Sequence, residues 1–227
     1  MSIDLEFSKY AYNYDKYAII QSKVTDELLL HVKGEPKKIL DLGCGSGAVA
    51  KKISWDYQYL LGVDFAKNML QIHPKSNKIE CIYGNFEDDE LYNHLYMYNF
   101  DYIISSSALQ WAKDLDKVFA NIKKLNTPFA FAIFTSNTFK TIHKTANISS
   151  PLRDSKEVLK IASKYFTCKS HINSYTLEFE KNIDMFRYIK KSGVSASRSI
   201  LSYKQTKELI EKYPLNYLEF EVIFIYS

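Results

Sequence analysis

The 227-residue sequence lacks several features that would assign it to common protein classes. It has no apolar run near the roughly 18 residues needed to cross a bilayer, and Asp4 and Glu6 stand where a secretory signal would be apolar. Hydrophobic residues make up 46% and charged residues 25%, shares that exclude disordered and collagen-like classes. We therefore expect a cytoplasmic globular protein.

Patterns for metal ligation and disulfide bonding are also missing. The 3 cysteines (Cys44, Cys81, Cys168) are irregularly spaced, and the 5 histidines form no HExxH-type pair. We therefore expect neither a disulfide framework nor a metal site. The net charge of +4 is too small for a nucleic-acid-binding surface over the whole protein.

Glycine is scarce, and its distribution is uneven. Of 7 glycines, Gly43, Gly45 and Gly47 fall within one short segment, ILDLGCGSG (39–47). A glycine-poor chain places glycine where a side chain would be in the way. Because an apolar stretch runs directly into these glycines, the segment predicts a buried strand followed by a tight turn and a helix.

Apolar periodicity predicts that strands and helices alternate along most of the chain. We expect strands at 37–42, 59–63, 79–83, 102–106, 129–135, 171–179 and 217–225. Helices are expected at 15–32, 48–54, 64–72, 88–97, 115–125, 155–165, 183–191 and 203–212. This order predicts an α/β fold with a doubly wound, mostly parallel, seven-stranded sheet.

We expect a single domain, 1–227, with distinct roles along its length. Residues 37–135 form the predicted cofactor-binding core. Residues 1–32 and 136–212 are expected to supply a helical cap and substrate-facing elements, and 213–227 an antiparallel edge strand.

The glycine turn predicts a ligand site, because open α/β sheets bind ligands beyond the carboxyl ends of their strands. Gly43, Gly45 and Ala48 also fit a dinucleotide-binding pattern, so the glycines alone do not choose the ligand. Asp41 favours a cationic group, since a carboxylate would repel a pyrophosphate but attract the ammonium of S-adenosylmethionine. Alternatively, Asp41 only caps the turn. Asp64, after the second strand, is placed to accept hydrogen bonds from ribose hydroxyls.

Candidate contacts for the adenine follow the second and third strands. Phe65 and Met69 offer apolar faces, although either can simply belong to the core. The amide of Asn85 can hydrogen-bond the adenine amino group, and the Phe86 N–H can reach a ring nitrogen.

Four elements, DLGCGSG (41–47), GVD (62–64), GNF (84–86) and FDYIISSSALQW (100–111), resemble the class I S-adenosylmethionine-dependent methyltransferases. The resemblance implies a Rossmann-like fold, S-adenosylmethionine as cofactor and S-adenosylhomocysteine as product. Asn85 stands where that family usually has Asp, but its acceptor oxygen is retained. The expected cofactor contacts are Tyr10, Asp41, Gly43, Cys44, Gly45, Gly47, Asp64, Phe65, Met69, Asn85, Phe86, Ser105 and Ser106.

The flanks resemble the malonyl-acyl-carrier-protein O-methyltransferases of biotin synthesis, in FSKYAYNYD (7–15), SSSALQWAKDL (105–115), YIKKSGVS (188–195) and YPLNYLEFEVIF (213–224). This resemblance implies methylation of the free malonyl carboxylate on acyl-carrier protein. A carboxylate with a pKa near 4 is already ionised at pH 7. We therefore expect positioning residues rather than a general base.

Tyr14, Gln110 and Trp111 are the expected positioning residues, with Tyr10 and Tyr14 closing an N-terminal segment over the site. Ser105 and Ser106 can contact the cofactor or only satisfy the backbone, and the tyrosines and Trp111 can also act only in packing. The arginines Arg153, Arg187 and Arg198 are candidates for binding the malonyl carboxylate, because a guanidinium matches a carboxylate. The basic segment 181–212 can dock an acidic carrier protein or be only a solvated face.

Other functions stay open at this point. They include a methyltransferase acting on another small-molecule carboxylate or hydroxyl, or on an RNA base, although SSSALQW (105–111) differs from the (N/D)PP(Y/F) motif of amino-methylating enzymes. An NAD(P)-dependent oxidoreductase is disfavoured by Asp41. A non-catalytic cofactor-binding subunit has the same glycines.

Overall fold

A seven-stranded sheet forms the centre of the protein, whose computed structural model describes residues 17–192 and 203–227. The strand order is β3-β2-β1-β4-β5-β7-β6. Strands β1 to β5 are parallel, and β7 runs antiparallel to both of its neighbours. The strands are β1 (Lys38–Leu42), β2 (Tyr59–Asp64), β3 (Ile79–Tyr83), β4 (Tyr102–Ser106), β5 (Phe129–Phe134), β6 (Lys169–Glu178) and β7 (Tyr217–Tyr226).

Helices connect the strands and cover both faces of the sheet. They are α1 (Ile19–Leu29), α2 (Ala48–Lys52), α3 (Lys67–Ile72), α4 (Asp89–Leu95), α5 (Leu115–Lys124), α6 (Lys140–Ala146), α7 (Ser155–Ala162), α8 (Asn182–Ser192) and α9 (Tyr203–Lys212). Two short 3₁₀ helices cover Tyr96–Tyr98 and Leu109–Trp111. None of the described helices is long and apolar enough to cross a membrane.

The predicted doubly wound sheet with an antiparallel edge strand is confirmed, but the assignment of that edge to residues 213–227 is wrong. Strand β7 pairs with β5 on one side and β6 on the other, so β6 is the edge. The burial patterns give the physical reason. The end of β7 is buried at four consecutive residues, 222–225, as in a central strand covered on both faces, whereas β6 alternates between exposed and half-buried positions.

Alternation along β1 divides its side chains between two apolar layers. Leu40 and Leu42 join the layer that also contains Phe119 of α5 and Val158 of α7. Ile39 joins the opposite layer with residues of α1, α6, α8 and α9. Asp41 has the same alternation phase as Ile39, so its carboxylate is directed into the α1 side of the sheet.

The strand order reverses between β1 and β4, because the chain runs outward from β1 to β3 and then crosses back to β4. In doubly wound sheets this reversal leaves a crevice at the carboxyl ends of the strands, where ligands bind. The glycine turn follows β1 at that position.

Candidate active site

A cleft opens at the carboxyl ends of β1, β2 and β4. Its walls come from α1, the glycine turn, α2, and the segments that follow β2, β3 and β4. The lining residues are Ala18, Gln21, Ser22, Thr25, Gly43, Gly45, Ser46, Ala48, Lys51, Lys52, Asp64, Phe65, Met69, Phe86, Ser106, Ser107, Ala108 and Trp111.

The glycine turn follows a backbone path that other residues adopt only with strain. Gly43, Gly45 and Gly47 have φ values of +73°, +51° and +85°. A Cβ at Gly43 would lie 2.2 Å from the Cβ of Ala108, and one at Gly47 would lie 2.4 Å from Cδ of Pro74. At Gly45 nothing lies within 4 Å of that position, because the space above it is the cleft.

Asp64 organises this turn as well as lining the cleft. Its Oδ2 accepts a hydrogen bond from the Gly45 N–H and its Oδ1 accepts one from the Ala66 N–H, both at 2.8 Å. A carboxylate oxygen can accept more than one hydrogen bond, so these contacts are compatible with ribose binding. The sequence predicts Asp64 as a ribose ligand, but it does not indicate this second role in holding the turn.

Asp41 lies beneath the cleft and does not line its wall. It is 1% exposed, and neither carboxylate oxygen has a hydrogen-bond partner among the described residues. Burial raises the pKa of Asp41 to about 7; the positive field of His73 opposes this rise, and the negative field of Asp64 adds to it. The turn therefore covers a carboxylate that has no hydrogen-bonded cationic partner among the described residues.

Two thiols lie under the same turn. The Cys44 sulfur fills the space above Gly62, 2.8 Å from where a Cβ would be, and Cys81 lies beside it. Hydrogen bonding with Cys81 and burial raise the pKa of Cys44. Hydrogen bonding with Cys44 lowers the pKa of Cys81 to about 5, with burial opposing and His73 assisting. Cys44 is thus packed against the sheet, away from the cleft wall.

Apolar side chains form the part of the cleft expected to hold the adenine. Phe65, Met69 and Phe86 all line it, and Met69 and Phe86 are buried. Asn85 does not line it: its Oδ1 accepts a hydrogen bond from the Glu87 N–H at 3.0 Å, which stabilises the turn after β3.

The end of β4 and the segment that follows it contain residues that face the cleft and residues that support them. Ser106 lines the cleft and shares a 2.8 Å hydrogen bond with Thr25 of α1. Trp111 also lines it. Ser105, in contrast, is fully buried and donates to the Leu42 carbonyl oxygen at 2.6 Å, so its position favours the backbone role. Gln110 is buried and donates from Nε2 to the Ser107 carbonyl oxygen at 2.6 Å.

The two candidate arginines that the structure describes do not line the cleft. Arg153 donates to the carbonyl oxygens of Ala112 and Lys113 at 2.8 and 2.7 Å, so it supports the loop that follows Trp111. Arg187 lies on α8, where its exposed guanidinium pairs with Asp184 at 2.9 Å. Three further predicted site residues, Tyr10, Tyr14 and Arg198, lie outside the described residues.

Sequence reasoning assigned 1–32, which contains α1, to the cap and substrate-facing elements, but it singled out none of the α1 side chains that line the cleft. Gln21 and Thr25 lie one turn apart on the buried side of this helix, among the core residues Ile20, Val24 and Leu28. Polar residues at inward positions of an otherwise apolar helix face were the signal that could have identified them. The lysines of α2 that line the cleft, Lys51 and Lys52, carried no such signal.

The arrangement fits a ligand with a nucleoside and a cationic end. The open space above Gly45 admits a ligand close to the backbone, Asp64 presents a carboxylate on the wall that can accept from hydroxyl donors, and apolar walls adjoin it. The buried carboxylate of Asp41 has no hydrogen-bond partner in the described chain, which suits a nearby positive charge. This donor set fits S-adenosylmethionine better than a dinucleotide.

Comparisons with known proteins agree with the geometry. Residues 40–134 match the family described as methyltransferase domain. A malonyl-[acyl-carrier protein] O-methyltransferase from Haemophilus influenzae is 29% identical over 207 residues, which cover 84% of this chain and 76% of that protein. An enzyme with the same name from Buchnera aphidicola is 26% identical over 224 residues, covering 92% and 89% respectively.

Solved structures confirm the predicted fold. The YcgJ protein from Bacillus subtilis has a TM-score of 0.63 at 13% identity, covering 90% of this chain and 98% of that one. The Haemonchus contortus phosphoethanolamine N-methyltransferase 2 in complex with S-adenosyl-L-methionine has a TM-score of 0.56 at 15% identity, covering 97% of this chain and 57% of that one. At these identities the likeness concerns the fold alone.

Proposed function

We propose that this chain, an S-adenosylmethionine-dependent methyltransferase with the class I fold, methylates the free carboxylate of a malonyl thioester on acyl-carrier protein. The observation that carries the proposal is that relatives named for this activity align over 84% and 92% of the chain, including the flanks outside the matched domain. The reaction would be an early step of biotin synthesis in the cytoplasm.

We propose that the cofactor lies along the glycine turn. The open backbone at Gly45 lets it approach closely, Asp64 accepts from its ribose hydroxyls, and the side chains of Phe65 and Met69 contact its adenine. Asp41 provides the negative field that favours its ammonium group. When bound, the cofactor supplies an electrophilic methyl group.

The acceptor side of the cleft supports a reaction that needs no general base. A malonyl carboxylate is ionised at neutral pH, and the described part of the wall carries hydroxyls and lysines but no histidine. Among the same described wall residues Asp64 is the only acid, and it is already engaged by two backbone N–H groups. Holding the reactants in line can supply roughly 7–11 kcal/mol of the barrier reduction.

Positioning is the role we assign to Ser106, at the end of β4, and to the segment that follows it. Ser106 and Trp111 face the cleft, Gln110 supports them from behind through the Ser107 carbonyl, and Arg153 supports the next two residues. Lys51 adds positive potential that attracts a carboxylate, whereas Lys52 is paired with Asp26 at 2.5 Å. Roles for Tyr14 and Arg198 in closing the site and in binding the malonyl group stay predictions.

The proposal is tested by transfer of labelled methyl from S-adenosylmethionine to malonyl-acyl-carrier protein. Acetyl-acyl-carrier protein, which lacks the free carboxylate, is the matched acceptor control, and malonyl-coenzyme A tests whether the carrier protein is recognised. We expect rapid labelling of malonyl-acyl-carrier protein, slower labelling of malonyl-coenzyme A and none of the acetyl form. Release of the label as volatile methanol in base would identify the product as a methyl ester, because base also cleaves the thioester.

Two controls keep the test decisive. Asp64→Asn replaces one carboxylate oxygen with a donor facing a backbone N–H, so it should weaken cofactor binding at least tenfold and lower the labelling accordingly. Equal labelling of the malonyl and acetyl forms would contradict carboxylate methylation. Cofactor binding by calorimetry with no labelling of either malonyl acceptor would contradict the acceptor assignment while leaving the methyltransferase fold untouched.

A further inference from the structure

Three side chains of types that can ligate metals meet where α1 packs against β6, and none of them lines the cleft. Glu27 of α1, His31 just beyond its end and His171 of β6 each offer a ligand atom within 4.8 Å of the other two. One of these pairs, Glu27 Oε1 and His171 Nε2, is already in contact at 2.9 Å. Because 144 residues separate Glu27 from His171, no local sequence motif predicts the cluster.

Both imidazoles are held flat against aromatic rings of β7. The His31 ring stacks on Tyr226 with centroids 4.2 Å apart and an interplanar angle of 12°. The His171 ring stacks on Phe224 at 4.8 Å and 4°. Since β7 is a central strand, these contacts fix the ring planes on a rigid support. Side chains that are already oriented lose less conformational entropy when they bind a ligand.

The carboxylate of Glu27 is oriented by partners on its other oxygen. Its Oε2 accepts hydrogen bonds from Asn173 Nδ2, at 2.7 Å, and from the Tyr175 hydroxyl. This leaves Oε1 directed at the imidazole side of the cluster. Hydrogen bonds of this kind orient ligands in known metal sites.

The protonation states agree with ligation. Burial alone would raise the pKa of Glu27, but hydrogen bonds from Tyr175, His171 and Asn173 outweigh it and lower that pKa. Burial and the nearby His171 lower the pKa of His31 below its ordinary value, although Glu27 opposes this shift. At neutral pH the cluster therefore offers an anionic carboxylate and a neutral His31 imidazole.

We propose that Glu27, His31 and His171 form a binding site for a divalent transition metal such as Zn²⁺, with water completing the coordination. Two imidazoles and one carboxylate suit Zn²⁺ or Ni²⁺, whereas Ca²⁺ and Mg²⁺ prefer oxygen ligands alone. Metal–ligand bonds of about 2.0–2.2 Å place neighbouring ligand atoms about 3.4 Å apart in a tetrahedron. Small side-chain rotations close the 4.8 Å triangle to that size.

A metal at this position would link two elements of the fold. Helix α1 carries Gln21, Ser22 and Thr25 on the cleft wall, and β6 is the edge of the sheet. A bound ion would fix α1 to that edge and so stabilise the wall of the active site. The site is structural in this proposal, and it does not depend on the identity of the methyl acceptor.

The test uses the full-length, untagged, metal-free chain, titrated with ZnCl₂ in a calorimeter. We expect one equivalent to bind, and His31→Ala and His171→Ala each to weaken binding at least tenfold. His94→Ala is the matched control, because His94, which lies on α4, contacts Tyr98 and is outside the cluster. His31→Ala leaves every hydrogen bond of Glu27 described above in place, so it tests ligation without loss of those hydrogen bonds. Because it also removes the ring stacking on Tyr226, the melting temperature of this variant is measured as well.

Two further measurements distinguish zinc held by the triad from zinc held by a thiolate. Titration in a Cys81→Ser background removes the competing thiolate beneath the glycine turn, and Co²⁺ spectra lacking thiolate charge-transfer bands would show nitrogen and oxygen ligation. Melting temperatures in EDTA check that each variant folds, and only chains that keep the triad should gain stability from Zn²⁺. Absence of binding, equal binding by the His31 and His94 variants, or binding lost only with Cys81 would overturn the proposal.

Discussion

The glycine turn and the loop that follows β4 line the same cleft, but different contacts hold them in place. The turn is determined by its backbone: Gly43 takes a positive φ, a neighbour occupies the position of its missing side chain, and the N–H of Gly45 is held by Asp64. The loop after β4 is held by side chains that reach carbonyl oxygens, Gln110 from within the loop and Arg153 from a distant segment.

We therefore expect the two sides of the cleft, the glycine turn and the loop after β4, to tolerate substitutions differently. A backbone path with positive φ and no space for a Cβ admits essentially one residue type. A carbonyl oxygen, in contrast, accepts from any suitably placed donor, so the residues that support the acceptor loop are replaceable. We expect changes in the turn to affect the fold and cofactor binding together, and changes in the loop to affect mainly the acceptor reaction.

The largest effect is expected for Gly43→Ala, compared with Gly34→Ala. Both glycines have positive φ, +73° and +70°, but a Cβ at Gly43 would lie 2.2 Å from Ala108, whereas nothing lies within 4 Å at Gly34. Strain alone should cost Gly34→Ala about 1–2 kcal/mol of unfolding free energy. The clash should cost Gly43→Ala about 1–3 kcal/mol more.

Urea denaturation of the two variants measures this difference, and calorimetry with S-adenosylhomocysteine measures the accompanying loss of affinity. We expect the loss of affinity to be confined to Gly43→Ala. Equal destabilisation by both substitutions would mean that Ala108 moves aside without cost, and the backbone account of the turn would then be wrong.

The next effect is the pH dependence of stability that Asp41 causes. Burial raises its folded-state pKa from 3.8 to about 7. Its contribution to stability is therefore fully present below pH 3.8 and is lost as the pH rises through 7. Asp41→Asn removes this loss, so the cofactor-free variant should exceed the parent in stability at pH 8 by a few kcal/mol, at about 1.4 kcal/mol per pKa unit.

The same substitution should weaken S-adenosylhomocysteine binding about tenfold, since an attractive charge near its ammonium is removed. Asp88→Asn, an exposed position with the same change of charge, should alter neither property measurably. Denaturation at pH 5 and pH 8 and calorimetry at pH 8 test both expectations. Unchanged affinity of Asp41→Asn would contradict the role of Asp41 beside the ammonium group, and lower stability of this variant at pH 8 would contradict the raised pKa of Asp41.

The contrast between backbone and side-chain contacts also explains how much of the fold can be predicted from the sequence. Strands β3 and β4 have the predicted bounds, because apolar runs and glycine positions are local signals. Helix α6 was missed because it is short and lies between Phe139 and Asn147, both with positive φ. The order of β7 and β6 depends on pairing between distant segments, which local patterns do not encode.

The residues of the candidate site likewise divide into those that local sequence patterns predict and those that depend on tertiary packing. The turn and the residues after β2 were predicted and line the cleft, whereas the polar residues of α1 were missed. The arginines were proposed as substrate ligands because their chemistry suits a carboxylate. Only the structure shows that Arg153 is directed at two backbone carbonyls, a partner choice that depends on tertiary packing.

A smaller effect is expected for Arg153→Ala, compared with Arg187→Ala. Arg153 is largely buried and makes two hydrogen bonds to carbonyl oxygens, so its loss should cost about 1–3 kcal/mol of stability. It should also lower kcat/KM for the malonyl acceptor several-fold while leaving cofactor affinity unchanged. Arg187 is exposed, and its removal should change stability by less than about 0.5 kcal/mol.

Denaturation and methyl-transfer kinetics measure both variants, and Arg153→Lys tests whether one donor is enough. A fall in cofactor affinity as large as the fall in kcat/KM would show that the loop and the turn act as one unit. That result would contradict the division of the cleft into separately supported sides.

The smallest effect is expected for Asn85→Asp, at the boundary between the two kinds of support. The side-chain oxygen of Asn85 accepts from the Glu87 N–H at 3.0 Å, and an aspartate retains this acceptor. We therefore expect stability to change by less than about 0.5 kcal/mol and S-adenosylhomocysteine affinity to change by less than about threefold, which corresponds to about 0.7 kcal/mol.

Asn85→Ala is the comparison variant, because it removes the acceptor oxygen and should cost about 1 kcal/mol of stability. Calorimetry of both variants separates the two functions of the side chain. If Asn85→Asp changed affinity more than tenfold while stability stayed constant, the amide or its lack of charge would act on the cofactor directly. The turn after β3 would then differ from the glycine turn, because it would recognise the cofactor through a side chain that can be replaced and not through its backbone.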